Sequence, residues 1–576
     1  MKQRFLYPEL ADYTKKKKKA EMVFKNARVL NVFTEEILQG DVACQNGVIV
    51  GIGAYDGVDE VDCGGKILVP GFLDGHLHME STLVTPSELV KNTVRFGTTT
   101  YIIDPHEAAN VAGAAGIDYL IQDTENVPAN VFVMMPSCVP ATFFEDNGAS
   151  FSAQDMEAYR EHPRVLGLGE VMDFPSVEAG EPSMMEKLAL FQSQVIDGHA
   201  PNLTKQQLQL YALAGVRTDH ESSTFADALQ KARNGMQVLI REGSAARNLD
   251  DIVRGIVAHG MNTDSFSFCT DDKHIEDIRR EGHISHHIRR AIALGIPPIK
   301  AIQMATINTA RTYGLRHLGA IRVGGQADLV LLDDLETVSI ADVYYRGKNV
   351  REMEPHPVVP SENLLQTVHI KPVGLEQLAL PVDGESDVIG VIPGQLITQH
   401  KRAVLPQAGG FFTPNGEYNK IAVVERHHAT GKMAVGAIAG FGITGGAIAS
   451  SVSHDSHNLI VVGDNDRDML LAIQELERTS GGYTIAAGGK IRHTLPLPIL
   501  GLISDWPHEQ VDKRVKEMTA LAYQMGVNPG ISPFITLSFM ALPVIPELRL
   551  TARGMFDVVK FAFCDGRGSW DGGTAG

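Results

Sequence analysis

The sequence predicts an α/β protein: a (β/α)₈ TIM-type barrel, a small discontinuous β domain split around it in the chain, and a C-terminal α+β domain. Three observations carry this. Short apolar runs alternate with longer helical patterns over residues 70–318. Two strand-rich pieces, 21–69 and 319–350, flank them, and a second globular region, 365–576, follows a proline-rich stretch. Alternating strand and helix signals imply βαβ units on a parallel sheet, and about 250 residues suits a closed barrel.

Residues 1–20 read as an arm or short helix, polar and without the apolar stretch of a secretory signal. Their Lys15–Lys19 run reads as solvated charge rather than a polyanion tag. Met22–Leu30, Asp41–Gln45 and Val48–Ile52 are short strand-like runs separated by Asn-Gly and Gly turns. A similar unit returns at Gly324–Asp333 and Val343–Gly347, so the two pieces are expected to pair as one sheet. In the barrel segment the apolar runs are Thr98–Asp104, Val131–Met135, Val165–Glu170, Val195–Asp197, Gln237–Ile240 and Phe266–Thr270. Glu354-Pro-His-Pro-Val-Val-Pro-Ser361 reads as a linker. Beyond it, Lys420–Val424 and Asn458–Gly463 are further strands, and the Gly-rich end from Asp565 to Gly576 is expected to fray.

Composition narrows the class. Of 576 residues, 44% are hydrophobic and 21% charged, the balance of a soluble globular protein. A net charge of −18 repels phosphates and disfavours a polynucleotide substrate, whereas a neutral base meets no such penalty. No stretch approaches the ~18 apolar residues of a membrane span. Five scattered cysteines, an odd number with no C-x-x-C pair, argue against a disulfide framework and a cysteine-ligated zinc, and fit a reducing cytoplasm.

The chemistry begins at Asp74-Gly-His-Leu-His78. Two residues apart on a strand, His76 and His78 face the same way and can grip one metal ion. A lone His-x-His is as often a pair of ordinary histidines. Here Glu170, His199, His220 and Asp271 each end an apolar or small-residue run where a barrel strand should stop, and such residues converge at one mouth. Four histidines, a glutamate and an aspartate suffice for two divalent ions, with the carboxylate bridging. Nitrogen and oxygen donors suit several divalent metals.

Pro70-Gly-Phe-Leu-Asp-Gly-His-Leu-His-Met-Glu-Ser81 resembles the opening signature of the amidohydrolase superfamily. Asp104-Pro-His-Glu-Ala-Ala-Asn110, Met135-Pro-Ser-Cys-Val-Pro140, Leu168-Gly-Glu-Val-Met-Asp173, Ile196-Asp-Gly-His-Ala-Pro201, Ile240-Arg-Glu-Gly-Ser244 and Phe268-Cys-Thr-Asp-Asp-Lys-His274 narrow the resemblance to the bacterial adenine deaminase family. It runs from about residue 20 into the C-terminal domain and is looser after residue 365. The resemblance implies His76 and His78 on one metal, His199 and His220 on a second, and Glu170 bridging them. It further implies Asp271 on the first metal and handling the proton of a bridging hydroxide, with Mn²⁺ or Fe²⁺ as the ions. It implies hydrolysis of adenine to hypoxanthine and ammonia by a metal-activated hydroxide attacking C6, in purine salvage. Hydrolysis of another cyclic amidine or amide, or a non-catalytic homologue, are the alternatives. Families of this kind commonly self-associate, so a homo-oligomer stays open, with no interface marked.

Such a reaction needs a second acid near ring N1. Glu107, Glu221 and Glu242 are the candidates, each equally readable as a carboxylate at a helix N-terminus. Asp272 and His274 are expected to orient Asp271. Glu80 and Ser81 are read as pocket lining or solvated loop, and Arg241 is left unassigned. A deaminase of the H-x-E type also needs P-C-x-x-C, which is absent. In the C-terminal region, Ser453-His-Asp-Ser-His-Asn458 and Arg426-His-His428 invite a metal reading but read first as polar turns, with a lid reaching the barrel mouth as the alternative, and Gly440–Gly446 as tight turns without the lysine of a phosphate loop.

Overall fold

The computed structural model describes residues 7–244 and 246–565. Residues 1–6 of the expected arm and the expected frayed end, 566–576, lie outside the described residues. The rest of the arm holds a helix, Tyr7–Thr14, packed on the first sheet through Leu10.

The apolar run from Ile67 to Leu73 serves two sheets. Ile67–Pro70 lies antiparallel to Leu329–Asp334, inside an eight-stranded sheet that also holds Ala20–Asn31, Glu36–Gln45 and Ser339–Tyr345. Both chain pieces, before and after the barrel, therefore build one sheet. Phe72–Leu77 then opens the barrel.

Seven more strands follow: Thr98–Ile103, Asn130–Met135, Val165–Val171, Val195–Gly198, Thr218–Asp219, Gln237–Arg241 and Phe266–Cys269. Neighbours run parallel. Two backbone hydrogen bonds join what would otherwise be separate sheets: Arg217 N–H to Ile196 O (2.9 Å) and Asp271 N–H to His76 O (3.0 Å). The first strand thus meets the last, and the barrel closes. Parallel strands buried on both faces need continuous apolar runs, which is why these segments read so clearly. Glycine fits where backbones crowd: a Cβ on Gly167 would collide with Val195 O, and one on Gly169 with the Asp104 carboxylate.

The C-terminal region centres on a second eight-stranded sheet whose middle strands are Met433–Ala439, Tyr418–Val424, Leu459–Gly463 and Gly446–Ser450, covered by the helix Asp466–Arg478. The proline-rich stretch and the helix after it are tied to the rest of the fold: Val358 N–H donates to Asp123 Oδ1 (2.8 Å) and Leu500 N–H to Leu364 O (2.7 Å). One apolar core runs unbroken from Leu77, Ile103 and Val133 of the barrel to Ile421, Val462 and Met540. The C-terminal region sits directly on the barrel mouth. Among the described residues no helix is long and apolar enough to cross a membrane.

Candidate metal centre

Strand ends place the six expected ligands. His76 lies on the first barrel strand, with His78 just beyond it, and the period of two turns both rings into the mouth. Asp74, between the same strand and the last, accepts from Thr270 N–H (3.0 Å) and Thr270 Oγ1–H (2.5 Å), which pins the mouth behind the histidines. Glu170 lies near the end of the Val165–Val171 strand; its N–H donates to Asp104 Oδ2 (2.8 Å) and its carbonyl accepts from Ser137 Oγ–H (2.5 Å). His199 follows Val195–Gly198, His220 follows Thr218–Asp219, and Asp271 follows Phe266–Cys269. All six are buried.

The donor atoms divide into two sets that share Glu170. His76 Nε2 and His78 Nε2 stand 3.2 Å apart. They lie 3.6 and 3.3 Å from Glu170 Oε1, and 3.7 and 3.1 Å from Asp271 Oδ1. His199 Nδ1 and His220 Nε2 lie 2.8 and 3.2 Å from the other oxygen, Glu170 Oε2. Metal–donor bonds of about 2.0–2.1 Å in a tetrahedron put neighbouring donors roughly 3.3 Å apart. The spacing fits, and the residue groups His76–Glu170–His220 and His76–His78–Asp271 are each compact enough to hold an ion. At His78 the outer nitrogen agrees: Nδ1–H donates to the Asp104 carbonyl (2.9 Å), leaving Nε2 as the free lone pair, whereas His76 Nδ1, His199 Nε2 and His220 Nδ1 have no partner among the described residues. Burial opposes ionisation of Glu170, but His220, His199 and His76 hold its carboxyl well below the usual range. Asp271 is likewise held low despite burial, first by Arg241 and then by His78.

Arg241, unassigned from sequence, donates through Nη1 to Asp271 Oδ2 (2.6 Å) and grips Glu221 with both terminal nitrogens. Glu221 is thereby fixed at the rim, its Oε1 3.7 Å from His199 Nδ1 and 3.5 Å from His220 Nε2. Glu242 must be withdrawn as a candidate acid. It takes Arg247 Nη1–H (3.2 Å) and caps Leu249 N–H (3.4 Å) at the start of the helix Leu249–Ala258, the helix-terminus role. Neither Asp272 nor His274 hydrogen-bonds the Asp271 side chain. Asp272 accepts from Ser81, and both line a small adjoining cavity. Glu80 is buried rather than part of a solvated loop: its Oε1 accepts from Ala108 N–H (3.0 Å), and burial with Glu107 nearby lifts its pKa to about 7.

The third candidate, Glu107, lies in the mouth, and the turn at Ser453–Asn458 reaches it there, the second of the two readings of that motif. His454 Nδ1 lies 2.6 Å from Glu107 Oε1, and His457 Nε2 bonds Glu107 Oε2. Both histidines are buried. The motif is a wall of the site. The remaining cover is apolar: Leu396, Phe539, Leu542 and Ile545 close over the donors and leave a cavity of about 30 Å³. His106, also missed, sits inside the group with Nδ1 3.4 Å from Glu170 Oε1. The Asp104-Pro-His-Glu107 motif carried that signal; the apolar cover has none in the sequence.

A barrel mouth with two donor sets bridged by one carboxylate defines a metal-dependent hydrolase of the amidohydrolase class. Residues 67–264 and 253–350 match the amidohydrolase family, and residues 395–562 match the adenine deaminase C-terminal domain. Adenine deaminase of Desulfitobacterium hafniense is 56% identical over 95% of this chain and 96% of its own. Those of Clostridium acetobutylicum and Bacillus pumilus are 44% and 42% identical, over 95% and 96% of this chain and 97% and 98% of theirs. The chain belongs to the adenine deaminase family.

Proposed function

We propose that this chain hydrolyses adenine to hypoxanthine and ammonia in purine salvage, with two divalent ions, Mn²⁺ or Fe²⁺, held by His76, His78, Asp271, His199, His220 and a bridging Glu170. The observation that carries the reading is the division of the Glu170 oxygens between two histidine pairs. Ions bound there would supply an acidified water, its pKa brought from 15.7 toward about 7.

The protein's own groups do the rest. Asp271 keeps one oxygen on Arg241 and offers the other to the site, so Oδ1 can accept a proton from water and return it to the leaving nitrogen. The apolar cover excludes bulk water, which strengthens every charge interaction beneath it.

Ammonia release from adenine should exceed hydrolysis of other cyclic amidines and amides by the metal-loaded protein. A higher kcat/KM for a cyclic amide than for adenine would overturn the reading. Elemental analysis should find about two divalent ions per chain, since six ligands exceed the needs of one tetrahedral ion. One ion or fewer in a fully active sample would refute the paired centre.

A further inference from the structure

The cover of the site contains an ionisable pair that the reaction described above does not use. His454 stands on the C-terminal region and reaches Glu107 on the barrel, a partner 347 residues earlier in the chain. Its ring is stacked on Phe539, centroids 4.3 Å apart and planes 17° off parallel, so its plane is fixed. It lines both the cavity over the metal donors and the small one beside it.

Tautomers follow from the hydrogen bonds. Ser453 N–H donates to His457 Nδ1 (3.2 Å), so the proton of neutral His457 is on Nε2, and that N–H donates to Glu107 Oε2. One carboxylate oxygen is thus satisfied by a neutral donor. The other, Oε1, faces His454 Nδ1 at 2.6 Å, which must carry a proton to donate. His454 Nε2 is left with no hydrogen-bond partner among the described residues, on a ring that forms the cavity wall. Burial works against a cationic His454, but the Glu107 carboxylate more than offsets this and lifts its pKa to about 9, with Asp272 and Asp455 adding in the same direction. His457 is the opposite case, pushed down to about 4 by burial.

We infer that His454, oriented by Glu107 and His457, is the acid that protonates the ring nitrogen of the substrate, with Nε2–H as the donor. The inference rests on the adenine reading above. As the water oxygen bonds to C6, the adjacent C=N π pair moves to the ring nitrogen, which takes the His454 Nε2 proton; one water proton goes to Asp271 and the second stays on the new C6 hydroxyl. When the C6–NH₂ bond breaks, its pair leaves with nitrogen, which takes the Asp271 proton and departs as ammonia. The ring nitrogen keeps its proton as the product N–H, the C6 hydroxyl becomes the carbonyl, and its released proton restores His454 through solvent. Glu107 and His457 are positioning residues. The other candidates on the wall are placed less well: Glu221 is locked to Arg241, and Asp455 Oδ2 is buried with no hydrogen-bond partner among the described residues to orient it, its Oδ1 coming no nearer than 3.9 Å to His106 Nε2.

The test compares His454→Asn, His454→Ala and Asp455→Asn in the full metal-loaded chain. Asparagine still offers a donor to Glu107 but has nothing at the Nε2 position. His454→Asn should lower kcat roughly 10²–10⁴-fold, the usual worth of a positioned acid, with KM and metal content near wild type. Added imidazole should restore at least about tenfold of the activity lost in His454→Ala, a response a purely structural residue does not give. Asp455→Asn should cost less than His454→Asn. Turnover of His454→Asn within about threefold of wild type, no imidazole rescue, or a larger loss in Asp455→Asn overturns the assignment while leaving the adenine reading intact. A wild-type protein that releases no ammonia from adenine fells both.

Discussion

Glu170→Gln should reduce kcat by at least the 10²–10⁴-fold typical of losing a catalytic carboxyl, and by more if both ions are lost. Each Glu170 oxygen faces a different histidine pair, so the substitution strikes both donor sets at once. An amide has one oxygen, a weaker ligand than carboxylate, and its nitrogen cannot coordinate in place of the second. The fold should survive, because the backbone of residue 170 is held by Asp104 Oδ2 and Ser137 Oγ independently of its side chain. Circular dichroism, elemental analysis and ammonia release on one sample check this. Near-wild-type turnover with full metal content would show that Glu170 is not the bridge.

Free adenine should be favoured over adenosine by roughly 10³-fold or more in kcat/KM, and AMP should fare no better. The cavity beneath Leu396, Phe539, Leu542 and Ile545, about 30 Å³, has room for no more than two or three waters. The site has to widen to take a base, and every further group on the ring asks for more room. A ribose on N9 would prop it open and leave buried polar groups unpaired. Phosphate finds no free arginine or lysine among the described residues of these strand ends: Arg241 is taken by Asp271 and Glu221, and buried Lys273 by Glu281 (2.8 Å) and the Glu242 carbonyl (3.1 Å). Comparing the three substrates by ammonia release decides the matter; equal turnover of adenosine would overturn the preference and spare the metal chemistry.

What the sequence disclosed follows from locality. His76 and His78 share a face because strand period is two, and the other four proposed ligands stand out by ending apolar runs, a pattern complete within a few residues. The discontinuous β domain was legible for the same reason. Glu107, Glu221 and Glu242 could not be ranked, because each sits beside a turn of similar composition and only distant partners distinguish them: two histidines for the first, Arg241 for the second, a helix start for the third. Ser453–Asn458 looks polar and turn-like in isolation. Its histidines become part of the site only because the second eight-stranded sheet is docked on the barrel mouth, a matter of packing with no local signature.

The crossing between Glu107 and His454 also sets an order on biosynthesis. A ribosome delivers the N-terminal part first. Every proposed metal ligand has emerged by Asp271, but His454 comes much later, and the apolar cover is finished only at Ile545. The proposed donors are therefore synthesised well before the groups that cover them. On the proposed reading, the residues that enclose a base are the last part of the site to be made.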